Sequence, residues 1–409
     1  MRRLRLAALA TVLLLAGCAS IPYEHASQHD QPPPAVQPPD GSPERVALNA
    51  RVYDAVVDHV GRLFYRGDFD RAGFAADAAA RRDGAMAQAD ESGLHARIEE
   101  LLDTLDDDHT YALSPTERER AAARRQGQSR ASYGLVLTEI GEAFVVSLVR
   151  ADSPAARAGV LPGWQLASIE GQPVAVSPPP AEGHVARLEF VDDDGGTRSI
   201  ELVAQAMSPL PRRESRRLDD DIAYLRFDDF DRATHDWLAR EMERLSTAPP
   251  RGLILDLRRN GGGLTHFAAL AHAHFHPQRQ DFMVLEGRRL DRRIYAAAPA
   301  HAYAGPLVVL VGPATASSAE LLAARLQETG RASVIGARSR GAVVGTRGIN
   351  LPDGGLLYVG MWMMATAGGQ RLEKVGVTPD LTLAADWPAV REGRDPALDA
   401  ALEALRTGE

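Results

Sequence analysis

The stretch Gly312-Pro313-Ala314-Thr315-Ala316-Ser317-Ser318-Ala319-Glu320 puts a serine where acyl-transfer chemistry could use it. The apolar run Leu307–Val311 precedes it, and a helical pattern of Leu321, Leu322 and Leu326 follows. A buried strand therefore ends in a small-residue turn that opens a helix. Backbone N–H groups at a helix N-terminus are unpaired and can face developing negative charge. Ser317 on that turn suits a nucleophile, and the Ser318 N–H suits an oxyanion donor. Its plainer role would be a helix cap. A second turn, Arg258-Arg259-Asn260-Gly261-Gly262-Gly263, follows the apolar run at 253–257. The Gly262 N–H is the expected second donor, at a place where a side chain would obstruct substrate.

In order and spacing, "LILDLRRNGGG", "LVVLVGPATASSAELL", "GRASVIGARSRGA" and "EKVGVTPDLTL" resemble the carboxyl-terminal processing (tail-specific) serine protease family, over about residues 217–385. The better-known branch of that family pairs its serine with a lysine. Here the matching position is Ala342, and the chain has one lysine, Lys374. The branch resembling the tricorn protease core uses a histidine from the N-terminal segment instead, with a glutamate before the last strand. The segment ending Asp106-Asp107-Asp108-His109-Thr110 and the segment Glu373-Lys374-Val375-Gly376-Val377-Thr378-Pro379-Asp380 are similar to its motifs. The resemblance implies His109 as general base and Glu373 as the acid that orients it. Asp108, standing where that branch has a serine, is a further candidate to hold the imidazole. It also implies an α/β, ClpP/crotonase-like core and no cofactor.

The elements that must position these residues can be read outward from the core. Strands alternate with helices over 208–409, as in a mixed α/β sheet with crossover helices. Residues 131–207 are strand-rich, and Ser153-Pro154-Ala155-Ala156-Arg157-Ala158-Gly159-Val160 with Ile169-Glu170-Gly171-Gln172-Pro173 resembles a PDZ domain. Such domains add a peptide to a sheet edge. The resemblance makes Gly134, Leu135 and Val136 the nest for a peptide's terminal carboxylate. Pro178-Pro179-Pro180 shortens the region where the usual groove helix lies. Residues 43–130 carry Val52, Val56, Val60 and then Leu94, Ile98, Leu101, Leu102 at helical spacing, which predicts a small helical N-terminal domain.

The N-terminus reads as an export signal: Arg2, Arg3 and Arg5, a short apolar core at 6–15, then Leu15-Ala16-Gly17-Cys18. Residues 1–17 resemble a lipoprotein signal peptide, with lipid carried on Cys18. Residues 18–42, rich in proline, form a tether. Ala19 after Cys18 favours the outer membrane, with the folded part facing the periplasm.

A net charge of −9 repels nucleic acid. One cysteine excludes an intrachain disulfide. His266, His272, His274 and His276 have spacings that metal ligation could use, although Phe267, Leu270 and Phe275 among them fit a packed helix. The expected function is a cell-envelope serine endopeptidase acting on polypeptides with exposed C-terminal tails. The competing expectation is an inactive protease-like scaffold that binds peptides.

Overall fold

The computed structural model describes residues 37–125, 129–174, 177, 179–287 and 290–408. The signal segment, Cys18 and most of the tether lie outside the described residues.

The central sheet runs in the order Arg213–Leu218, Ile222–Phe227, Gly252–Asp256, Leu307–Val311, Ser333–Gly336, Leu381–Thr382. Its first pair is antiparallel and the remaining pairs are parallel. Strands buried on both faces need continuous apolar runs, and Leu307–Val311 is buried at every position. Alternate side chains serve opposite layers. Leu253, Leu255, Val309 and Val311 pack with helices Arg232–Thr247, Thr265–Ala273 and Ser318–Glu328. Ile254, Val308 and Leu310 pack with the C-terminal helix Pro396–Thr407. A mixed α/β core follows, as the strand and helix alternation predicts.

The three N-terminal helices, Pro43–Leu63, Arg71–Met86 and Glu91–Leu102, start on the caps Ser42, Asp70 and Asp90. Their apolar faces do not close on one another alone. Val52, Val56, Ile98 and Leu101 share a cluster with Val344, Leu351, Leu357 and Val359. Those partners lie on, or just beyond the end of, the strands Val344–Asn350 and Leu356–Thr366 of a second sheet, which the strand Tyr111–Leu113 joins. The helices thus cover this second sheet, and Tyr111–Leu113 fixes the chain just after His109.

Residues 130–207 form an inserted β module with its own core of Val146, Trp164, Leu166, Leu188 and Phe190. Its sheet order is Leu135–Ile140, Ala143–Val149, Gln165–Ile169, Val185–Val191, Thr197–Val203. Leu135–Ile140 is an edge strand. Among the described residues no α-helix lies between Gln172–Pro173 and Val185–Val191. The module touches the core through Glu139–Arg340 and through Arg391, which contacts Asp193 and donates to the Pro162 carbonyl.

Candidate active site

Because Gly252–Asp256 and Leu307–Val311 are adjacent and parallel, the turns that follow them emerge at one end of the sheet. Side chains stitch these turns together. Thr315 Oγ1 donates to the Leu257 carbonyl (2.8 Å), the Ala316 N–H to the Asn260 carbonyl (3.0 Å), and Ser318 Oγ to the Gly263 carbonyl (2.9 Å). Beneath the glycine turn, Arg258 bridges Asp256 (2.7 Å) and Asp395 (2.8 Å), and Tyr224 also donates to Asp256. Burial of Asp256 opposes ionisation, yet Arg258 outweighs it and lowers the carboxyl's pKa. These groups brace the loop.

Ser317 sits at the strand-to-helix turn with φ 55 and ψ −122, a conformation costly for any residue with a Cβ. Gly262, at φ +100, lies so close that a Cβ there would come within 2.7 Å of Ser317 Cβ and 3.2 Å of its Oγ. Glycine at 262 is therefore required by the approach of the serine itself. The expected oxyanion donor at Gly262 is not free: its N–H donates to Asn260 Oδ1 at 2.9 Å, because the buried Asn260 side chain folds back over the turn. Among the described residues, no acceptor takes the N–H of Ser318 or of Gly263.

His109 faces the same cavity of about 1530 Å³ as Ser317, Gly263, Ala342 and Glu373. It follows Asp106, whose left-handed conformation (φ 48) ends the helical segment. Arg66 holds the preceding carbonyls of Leu105 and Asp106. The imidazole Nδ1 meets Asp107 Oδ1 at 3.4 Å, and Asp107 is held in turn by Thr110 Oγ1 (2.6 Å) and the Tyr65 hydroxyl (3.3 Å). Asp107 is thus the carboxylate that meets Nδ1, where Glu373 or Asp108 was expected. Glu373 is 3.7 Å from the other nitrogen, Nε2, too far for a hydrogen bond, and its Oε2 accepts from the Val343 N–H (2.6 Å). Asp108 lines the cavity without a contact to either ring nitrogen. His109 Nε2 is buried without a hydrogen-bond partner, and no hydrogen bond joins it to Ser317 in this structure. Burial works to lower the pKa of His109, but Asp107, Glu373 and Asp108 together prevail and raise it.

Sequence alone missed the contacts of Asp107 and Asn260. A signal for Asp107 was present, since two residues before a histidine on a tight turn is within reach of Nδ1. At Ala342 the N–H donates to Glu320 (3.0 Å), and Lys374 is an exposed partner of Asp106 at 3.8 Å. The position that matches the dyad lysine is thus an alanine whose backbone is bound to Glu320.

Of the histidines after the glycine turn, His272, His274 and His276 are buried, each with one ring nitrogen that has no hydrogen-bond partner, and His266 is partly exposed. Among the described residues no three His, Cys, Asp or Glu side chains form a group that could hold a metal. In the β module, Gly134 (φ +86) is sterically required by Ser153, whose Cβ a side chain would meet at 1.9 Å. Its N–H donates to Ser132 Oγ (3.0 Å), which removes it from the expected carboxylate nest with Leu135 and Val136.

Residues 221–383 match the family model for peptidase family S41. The chain is 30% identical over 318 residues to the chloroplastic C-terminal processing peptidase of Tetradesmus obliquus, covering 70% of this chain and 67% of that one. It is 23% identical to the carboxy-terminal processing protease CtpB of Bacillus subtilis (strain 168), covering 72% of this chain and 63% of that one. It therefore spans about two thirds of the length of these relatives. Among solved structures, the photosystem II D1 C-terminal processing protease superposes with a TM-score of 0.61 at 23% identity, over 82% of this chain and 93% of that one. With the strand order, the paired turns and the serine at the helix start already in place, these matches establish that the chain belongs to peptidase family S41, a family of serine-type peptidases.

Proposed function

We propose that the chain is a serine endopeptidase of the cell envelope that cleaves polypeptide tails. Ser317 Oγ attacks the scissile carbonyl, and His109 Nε2 takes its proton and returns it to the leaving amine. Asp107 fixes the imidazole through Nδ1, and Glu373 adds negative charge near the imidazolium that forms. The Ser318 N–H, with that of Gly263 in place of Gly262, receives the oxyanion; losing one such donor costs about 10²–10³-fold in rate. One observation carries this reading: a serine in a strained turn opens onto the same cavity as a partly buried histidine with one nitrogen held by a carboxylate and the other free. Catalytic contacts that are long in an unliganded enzyme tighten when substrate docks.

The β module is assigned as a PDZ domain whose edge strand Leu135–Ile140 receives the substrate tail by strand addition. In support, Glu139, Ile140 and Gly141 at the end of that strand line the cavity. Cys18 is assigned as the lipid-bearing residue that anchors the protein to the outer membrane, facing the periplasm. Labelling of Cys18 by a clickable fatty acid in cells, absent in Cys18→Ala, tests that anchor.

The inactive-scaffold reading draws on Ala342 and on the missing Ser317–His109 hydrogen bond. A fluorophosphonate probe separates the two. Labelling at Ser317, abolished in Ser317→Ala and sharply reduced in His109→Ala, supports the peptidase. No labelling, with or without added peptide, supports the scaffold.

A further inference from the structure

Glu320 is a fully buried acid one turn into the helix that Ser317 opens. A glutamate there suits the helix dipole, but the structure gives it four donors from two separate segments, the Ser317 turn and the loop at 339–342. Oε2 accepts from the Ser317 N–H (2.8 Å) and the Ala342 N–H (3.0 Å). Oε1 accepts from the Gly341 N–H (2.6 Å) and from Ser339 Oγ (2.6 Å). Ser339 Oγ itself accepts from the Val377 N–H at 2.6 Å. No lysine or arginine pairs with this carboxylate among the described residues, so backbone and hydroxyl dipoles alone compensate it.

The loop gripped by Glu320 continues directly into the other half of the site. Next after Ala342, the Val343 N–H donates to Glu373 Oε2, and the Lys374 N–H returns to the Gly341 carbonyl (2.7 Å). Glycines permit this close interlocking: a Cβ on Gly341 would meet the Val375 and Gly376 N–H nitrogens at 2.9 Å, and one on Gly376 would meet the Ser339 carbonyl oxygen at 2.4 Å. An unbroken series of contacts thus runs from the Ser317 backbone through Glu320 to residues 339–343 and on to Glu373 beside His109.

We propose that Glu320 is the positioning residue of this site: it holds Ser317 in its strained conformation and sets the nucleophile's turn at a fixed distance from the loop that carries Glu373. The inference rests on Ser317 being the nucleophile. Only an ionised carboxylate fits the role, since it accepts on both oxygens and donates nothing. A glutamine at this position would turn its NH₂ toward N–H or O–H donors.

The test is the time course of fluorophosphonate labelling of the purified soluble protein, for wild type, Glu320→Gln and Ser339→Ala. The rate constant and the final labelled fraction are read separately. A loss of misplaced geometry of this kind costs about 10²-fold. Glu320→Gln is expected to label about 10²-fold more slowly yet reach the wild-type end point. Ser339→Ala removes one donor that does not touch Ser317, and is expected to slow labelling by about 3- to 10-fold. A purely structural role would instead lower the end point while the remaining molecules react at the wild-type rate, and that result overturns the proposal. Should Glu320→Gln fail to fold, an unchanged rate in Ser339→Ala overturns it as well. If wild type is labelled at Ser317 but Glu320→Gln labels equally fast, this inference alone falls; if wild type is not labelled, the nucleophile reading falls with it.

Discussion

The proposed nucleophile, Ser317, and the proposed base, His109, are held in opposite ways. Ser317 follows a buried strand next to a second, parallel one, and its turn is tied by Thr315, Ala316 and Ser318 to the 257–263 turn and through Glu320 to the 339–342 loop. His109 comes from the far wall of the molecule, on a short loop between a helix and an edge strand. It is held by one carboxylate and that carboxylate's two hydroxyl partners. The first arrangement follows from the core and tolerates no change. The second is a local web whose ring nitrogen is still without a partner. The fold therefore dictates where the serine is, whereas the histidine is placed by a handful of polar contacts that substrate can tighten.

This contrast can be broken or sharpened in steps. Ser317→Ala is expected to abolish peptide hydrolysis, a loss of at least about 10⁴-fold, with the melting temperature little changed, because alanine keeps the Cβ that the turn strains. Asp107→Asn should lower kcat by about 10²–10³-fold with KM little affected, because the imidazole loses its fixed tautomer. An equal loss in Asp108→Asn but not in Asp107→Asn would return the orienting role to Asp108. Gly262→Ala should cost about 10²-fold in the labelling rate, since its Cβ would press on Ser317.

The smallest effect concerns stability. Burial pushes His272 down to about 3 and both His274 and His276 down to about 4. In the unfolded chain these groups take up protons below about pH 6.5, whereas in the folded protein they stay neutral until much lower pH. Their contribution is thus fully present above pH 6.5 and is lost as pH falls toward 4. The melting temperature is expected to drop on the order of 10 °C between pH 7 and pH 5, and less in His272→Phe. A flat profile in that range would show that these histidines are solvated.

Why some of this was legible in the sequence and some was not has a physical cause. Runs such as Leu307–Val311 announce buried parallel strands, because both faces must be apolar, and the turn after such a strand is where a nucleophile can stand. The role of Gly262 was readable as a need for space, but not its N–H, which a neighbouring side chain claims through Asn260. Asp106, Asp107 and Asp108 look equivalent in a row. Only the left-handed turn at Asp106 decides which of them meets the imidazole. The N-terminal helices read as a separate domain because their partners, Val344, Leu357 and Val359, lie far away in the chain. Glu320 showed its favourable place on the helix but not the four donors that arrive from the 339–342 loop and from Ser317.

The central claim is that His109, held by Asp107, activates Ser317. Its most direct measurement is the rate of fluorophosphonate labelling of Ser317 against pH, for wild type and His109→Ala. Only the neutral imidazole can act as a base, and the pKa of His109 is raised above its ordinary 6.5. The account predicts a labelling rate that climbs as pH rises through an apparent pKa above 6.5, and a slow, flat profile in His109→Ala. The same pH profile in both proteins would contradict it.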